Sequence, residues 1–105
     1  EILVQRQLNG YKFRNIDAFL EPYADDVELY NYPNTLIAKG KEEMRKNYGK
    51  KFENTPNLHC EIKGRIVQGN FVIDKEHVQS GDKFLDATVI YHIENGKIQK
   101  VYFVR

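Results

Sequence analysis

The chain has 105 residues, of which 41% are hydrophobic and 30% are charged. These values are typical of one globular domain, and no apolar run approaches the roughly 18 residues of a membrane-spanning helix. The net charge of +1 gives no general attraction to nucleic acid or to anionic lipid. We therefore expect neither a nucleic-acid partner nor a membrane partner.

Cys60 is the only cysteine, so an internal disulfide is excluded and a cytoplasmic location is the natural expectation. No targeting signal is visible at Glu1, and we expect the start of the chain to be trimmed.

The first half of the chain is predicted to be mainly helical. Val4, Leu8 and Tyr11 repeat at the spacing of one helical face and predict a helix over 1–13. Asn15 is a good N-cap for a second, short helix that contains Pro22 and stops at Asp25-Asp26, and a third helix is predicted over 41–53. A short strand is predicted over 27–32, ended by Pro33-Asn34, and a loop over 54–57.

The second half alternates with period 2 and predicts four antiparallel strands. The turn signals between them include Gly69-Asn70 and Asn95-Gly96. Strict alternation in the first of these strands places Cys60 and Ile66 on one face and Arg65 on the other. The four strands are expected over 58–68, 71–79, 84–94 and 97–104.

Helices followed by a strand meander indicate the α+β class. We expect three N-terminal helices packed on one face of a strongly curved, mostly antiparallel sheet, which leaves a cone-shaped cavity. The opposite sheet face is expected to carry Val67, Val72 and Ile90, and such an apolar face predicts a homodimer through the sheet. The cavity is expected to be lined by Val4, Leu8, Tyr48, Leu85, Ala87, Val89 and Tyr91.

No strong catalytic motif is present. The three histidines are far apart in the sequence and follow no metal-ligand spacing, so we expect no metal and no cofactor. Tyr30 and Asn31, at the end of the short strand, are expected at the cavity mouth, where they would hydrogen-bond a ligand. An ordinary edge strand is the alternative interpretation.

Arg65, Asp74 and Glu76 form the main charged cluster. With Gly69-Asn70 as a two-residue turn, Arg65 lies opposite Asp74, and with a longer loop it lies opposite Glu76. If this face points into the cavity, the cluster is a buried network and a catalytic candidate. If it points outward, the cluster is a surface or interface ion pair.

The order of elements and several short segments resemble the nuclear transport factor 2-like superfamily, and SnoaL-like and steroid Δ-isomerase-like proteins in particular. The segments are Val4–Tyr11, Asn15–Asp17, Tyr23–Leu29, Gly40 and Asn95–Ile98. The resemblance covers nearly the whole chain and implies the fold far more strongly than the activity.

The isomerase branch of this superfamily uses a carboxylate base together with a tyrosine and a protonated aspartate. The resemblance places the tyrosine at Gln7, the base at Asn31 and the aspartate at Val89, so all three positions differ. Steroid isomerisation by that mechanism is therefore not expected.

Two hypotheses remain for the function. The first is a cofactor-independent isomerase, cyclase or dehydratase in which Glu76 moves a proton. Its ligand would be small and apolar or carbonyl-containing. The second is a non-catalytic ligand-binding or dimerisation domain. In the first, Arg65 and Asp74 would support Glu76, and the ligand would contact Gln7, Tyr11, Tyr30, Asn31, Tyr48, Val89 and Tyr91.

Overall fold

The computed structural model describes residues 1–55 and 57–105, which form three helices and a six-stranded sheet. The strand order is β2-β1-β6-β5-β4-β3, and all neighbours are antiparallel except β1 and β6. The helices are α1 Ile2–Lys12, α2 Ile16–Leu20 and α3 Lys41–Asn54. The strands are β1 Tyr23–Asn31, β2 Thr35–Lys39, β3 His59–Gln68, β4 Phe71–Ser80, β5 Lys83–Glu94 and β6 Lys97–Val104.

The predicted α+β class is confirmed, with three helices against a curved, open sheet. The second helix ends at Leu20, and β1 begins at Tyr23, four residues before the predicted strand. Strand β2 was not predicted, because its mostly exposed residues lack the alternation of a half-buried strand. The predicted loop over 54–57 includes Pro56, which lies outside the described residues.

Helices α1 and α2 pack closely because of Gly10. A Cβ atom at this position would lie 2.4 Å from the backbone nitrogen of Phe19, so any side chain would push α2 away. The Asn15 side chain accepts a hydrogen bond from the Ala18 backbone N–H at 3.1 Å and caps α2, as predicted. These two features place Phe19 in the core beside Tyr11, with ring centroids 6.0 Å apart.

The face of the sheet that meets the helices carries the apolar stripe of β5. Ala87, Val89 and Tyr91 are all buried there, and Val89 is only 1% exposed. Val4, expected to line the cavity, is instead fully buried in the core on the inner face of α1 and does not line the cavity.

A β-bulge at Lys63 interrupts the alternation of β3. Ile62 pairs with Glu76, whereas Gly64 pairs with Lys75, so Lys63 is the extra residue. Beyond the bulge the two faces exchange, so Arg65 points to the helix side and Ile66 to the opposite side, where it is 61% exposed. The prediction from strict alternation was wrong for both residues because a bulge shifts the side-chain parity by one.

The opposite, convex face of the sheet also differs in detail from the prediction. Val72 pairs with Tyr91 and Val67 pairs with Val72, so both point to the helix side, whereas Ile90 lies on the convex face as expected. The convex face nevertheless has exposed apolar side chains, because Ile66 and Phe84 are 61% and 63% exposed. Its larger side chains are Ile66, Phe71, Ile73, Phe84, Ile90 and Tyr102.

We propose that two copies of the chain pack through this convex face, because contiguous exposed apolar side chains commonly mark a protein interface. Light scattering of the wild type should give twice the 12.4 kDa mass of one chain. Phe71→Lys should shift the mass toward one chain, because it places a charge in the interface. Phe13→Lys, at an 83% exposed position after α1, is the control that should remain dimeric. A wild-type mass near 12.4 kDa at high micromolar concentration would contradict the proposal.

The burial of Val89 gives a second prediction. Val89→Asp should lower the free energy of unfolding by about 3 kcal/mol or more, since the new charge is buried directly opposite Asp74. Thr88→Asp adds the same charge to the other face of β5 and should cost much less. Urea denaturation measures the free energy of unfolding of both variants. If Val89→Asp and Thr88→Asp had the same free energy of unfolding, Val89 would not face a packed interior.

Candidate functional site

A cavity of about 110 Å³ lies between the helices and the concave face of the sheet. Its inner walls combine apolar side chains with buried tyrosines, and Glu76 is the carboxylate that lines it. Of the residues predicted for the site, Tyr11, Tyr48, Glu76, Val89 and Tyr91 line this cavity. Leu8, Leu85 and Ala87 line it as well, as predicted for the apolar wall.

Glu76 is 8% exposed and is held from the neighbouring strand by Tyr91. The Tyr91 hydroxyl donates to Glu76 Oε2 at 3.2 Å, and the Cys60 thiol lies near this carboxyl. Burial and, second, the negative charge of Asp74 raise the pKa of Glu76 from 4.5 to about 7, against the lowering effects of Tyr91, Cys60 and Arg65. Glu76 therefore exchanges a proton near neutral pH.

A directed chain of hydrogen bonds leads to Glu76 from β1. The Tyr23 hydroxyl donates to Gln7 Oε1 at 3.0 Å, and Gln7 Nε2 donates to the Tyr91 oxygen at 3.3 Å. Gln7 Nε2 also donates to the Val4 carbonyl at 3.0 Å, which fixes the amide on α1. Gln7 is therefore a positioning residue behind Tyr91, outside the cavity wall.

Asp74 lies two residues before Glu76 on the same face of β4 and is completely buried. Arg65 donates to both of its carboxylate oxygens, with Nε–Oδ1 at 2.6 Å and Nη2–Oδ2 at 2.8 Å. Arg65 Nη1 also donates to Gln5 Oε1 at 3.0 Å, which ties α1 to the sheet. The register is therefore the one that places Arg65 opposite Asp74, on the helix-facing side, and neither residue lines the cavity.

The tyrosines and the cysteine of the cavity remain protonated. Burial raises the pKa of Tyr48 to about 12, and burial raises that of Tyr11 further. Burial and the nearby Glu76 carboxyl raise the pKa of Cys60 to about 12. The hydroxyl groups are thus neutral hydrogen-bond donors, and Cys60 is a thiol rather than an activated nucleophile.

Tyr30 and Asn31 differ from their expected positions. Tyr30 faces the convex side, where its ring stacks on Tyr102 with centroids 5.2 Å apart and its hydroxyl donates to Glu28 at 3.0 Å. The expectation that Tyr30 lies at the cavity mouth was wrong, because the neighbouring Leu29 occupies the buried side of β1. Asn31 pairs with Phe103 near the cavity and is half-buried, but it does not line the wall.

Three polar residues of the cavity were missed by sequence reasoning, namely Tyr23, Lys51 and Arg105. Tyr23 was hidden inside the predicted second helix, and the two cations carry no motif. No group of His, Cys, Asp and Glu side chains in the described part of the chain could hold a metal ion. None of the helices in residues 1–55 and 57–105 is long and apolar enough to cross a membrane.

Comparison with known proteins agrees with this geometry. The family model of the SnoaL-like domain matches residues 4–101 of this chain. None of the curated proteins matches the chain.

Solved structures show the same fold. An uncharacterised cystatin-fold protein from Novosphingobium aromaticivorans is 26% identical over 99% of this chain and 96% of its own, with a TM-score of 0.90. A candidate polyketide cyclase from Sinorhizobium meliloti is 14% identical over 98% and 94%, with a TM-score of 0.83. A candidate ketosteroid isomerase from Kribbella flavida is 14% identical over 98% and 74%, also with a TM-score of 0.83. The chain belongs to the SnoaL-like domain family of the nuclear transport factor 2-like superfamily.

Proposed function

We propose that this protein is a cofactor-independent enzyme that moves a proton within a small carbonyl-containing molecule, as an isomerase, cyclase or dehydratase does. The observation that supports this proposal is Glu76, the carboxylate in the cavity wall, whose pKa burial raises to about 7. A general base works best when its pKa lies near the working pH, because it can then both take up and release the proton.

In the proposed step, the Glu76 carboxylate removes a proton from the carbon next to the substrate carbonyl. The electron pair of that C–H bond forms a carbon–carbon double bond while the π pair of the carbonyl moves to its oxygen, which gives an enolate. Neutral hydroxyl groups such as those of Tyr11 and Tyr48 stabilise the enolate oxygen by hydrogen bonding. Glu76 then returns the proton to another atom of the same molecule. Tyr91 keeps the carboxyl in place throughout.

Arg65 and Asp74 act on this step as positioning residues. The Asp74 charge raises the pKa of Glu76, and Arg65 opposes that shift and keeps Asp74 paired in the interior. Their removal would therefore change the pH at which Glu76 works and would also weaken the fold.

A non-catalytic ligand-binding domain is the alternative. Gln7, Asn31 and Val89 occupy the positions at which the steroid isomerase resemblance places its tyrosine, base and aspartate. This departure favours the alternative, and the same cavity would then hold a ligand without reaction.

The proposal predicts a specific pH dependence of stability. The folded-state pKa of Glu76 lies above its ordinary value of 4.5, so the folded protein keeps a proton that the unfolded chain releases between these values. The unfolding free energy should fall as the pH rises from 4.5 to about 7, by on the order of 3 kcal/mol relative to Glu76→Gln, which cannot titrate. Urea denaturation across this range measures the difference, and parallel pH curves for the two proteins would contradict a raised pKa.

Exchange of α-protons tests the chemistry without knowledge of the natural substrate. Proton NMR of cyclohexanone in D₂O should show faster loss of the α-proton signal with wild-type protein than with buffer. Glu76→Gln should reduce the added rate by about 100-fold or more, which is the usual contribution of a general base.

Glu61→Gln is the matched control, because Glu61 is an exposed glutamate on β3 and pairs with Lys63 at the surface. Its exchange rate should equal that of the wild type. Equal rates for wild type and Glu76→Gln would remove Glu76 as the base. If the wild type leaves the buffer rate unchanged but cyclohexanone raises its melting temperature, the non-catalytic alternative is correct.

A further inference from the structure

The polar groups of the cavity are unevenly distributed between its two ends. Glu76 and Tyr91 are buried at the inner end, whereas Leu85 is 45% exposed and Arg105 is exposed, which places them at the mouth. Lys51, near the end of α3, lines the same cavity and is half-buried. The mouth therefore carries two cations and the inner end carries the carboxyl.

Neither cation of the mouth has an acidic partner among the described residues. Some surface cations elsewhere do, for example Arg45 with Asp17 at 2.8 Å and Lys63 with Glu61 at 3.3 Å. The Arg105 guanidinium instead lies over the Phe103 ring, 5.1 Å from its centroid. Burial and, second, the positive charge of Arg105 lower the pKa of Lys51, so the two cations repel each other across the mouth.

An anion placed between Lys51 and Arg105 would remove this repulsion and would make charge-assisted hydrogen bonds with both side chains. The free space limits what else the ligand contains. A dry apolar cavity of about 150 Å³ holds benzene, so the 110 Å³ here can enclose at most part of a single ring or a short chain, and the charged end of such a ligand would lie in the open mouth. A multi-ring molecule would not be enclosed.

We infer that the cavity binds a small carboxylate, a single ring or short chain whose anionic group lies between Lys51 and Arg105 and whose other end reaches Glu76. The assignment of the inner end as the reacting end rests on the proposed function. The anion-binding mouth does not, since it would serve a non-catalytic binding domain equally well.

The test compares 4-oxocyclohexane-1-carboxylate with its uncharged carboxamide by calorimetric titration. The wild type should bind the carboxylate at least tenfold more tightly than the carboxamide, and high salt should reduce this preference. The double variant Lys51→Gln/Arg105→Gln should bind the two probes equally. Lys50→Gln is the control, because Lys50 is the exposed neighbour of Lys51 on α3 and does not line the cavity.

The outcomes separate this inference from the proposed function, because both probes also carry exchangeable α-protons. Selective binding of the carboxylate without accelerated exchange would support the anion site and overturn the proposed catalysis. Accelerated exchange with equal affinity for both probes would overturn the anion site and leave catalysis in place. A preference that survives in the double variant, or no carboxylate binding at millimolar concentration, would also overturn the inference, provided that circular dichroism shows each variant folded.

Discussion

The ion pair between Arg65 and Asp74 is the interaction on which the rest of the interior depends. A fully buried carboxylate without a partner would cost several kcal/mol, so the structure must bring a guanidinium to it. The bulge at Lys63 turns Arg65 inward for this purpose, and Gln5 holds the outer side of the guanidinium from α1. One buried charge therefore constrains the register of β3 on β4 and the position of the first helix above the sheet.

Strand β4 carries a second inward-facing carboxylate, Glu76, whose surroundings differ from those of Asp74. The Arg65 hydrogen bonds go to Asp74 and Gln5. Glu76 instead accepts a hydrogen bond from the neutral Tyr91 hydroxyl and lies near the Cys60 thiol. Two acidic side chains on one face of β4 thus have different surroundings, an ion pair for one and an apolar, tyrosine-lined wall for the other. Such a division is a common way for a protein to combine a structural charge with a group that titrates near neutral pH.

Much of the fold could be predicted from local patterns. The hairpin signals Gly69-Asn70 and Asn95-Gly96 and the period-2 stripe of β5 defined the meander. Glu76 was singled out from the sequence, but the face to which it points was left open, and the structure places it in the cavity wall. The errors have physical causes that local patterns do not contain. Alternation cannot reveal the bulge at Lys63, and β2 is an exposed edge strand with little pattern. Arg105 reaches the cavity because β6, the strand before it, pairs with β1 and β5, and local patterns do not contain this long-range pairing.

The bulge at Lys63 also bears on how the sheet meets other chains. Strand β3 is an open edge of the sheet, and a regular edge offers a row of free N–H and C=O groups to which a foreign strand can add. An extra lysine at the bulge interrupts that row and places a charge beside it. The residue that turns Arg65 toward Asp74 therefore also protects the domain from strand-to-strand aggregation along this edge.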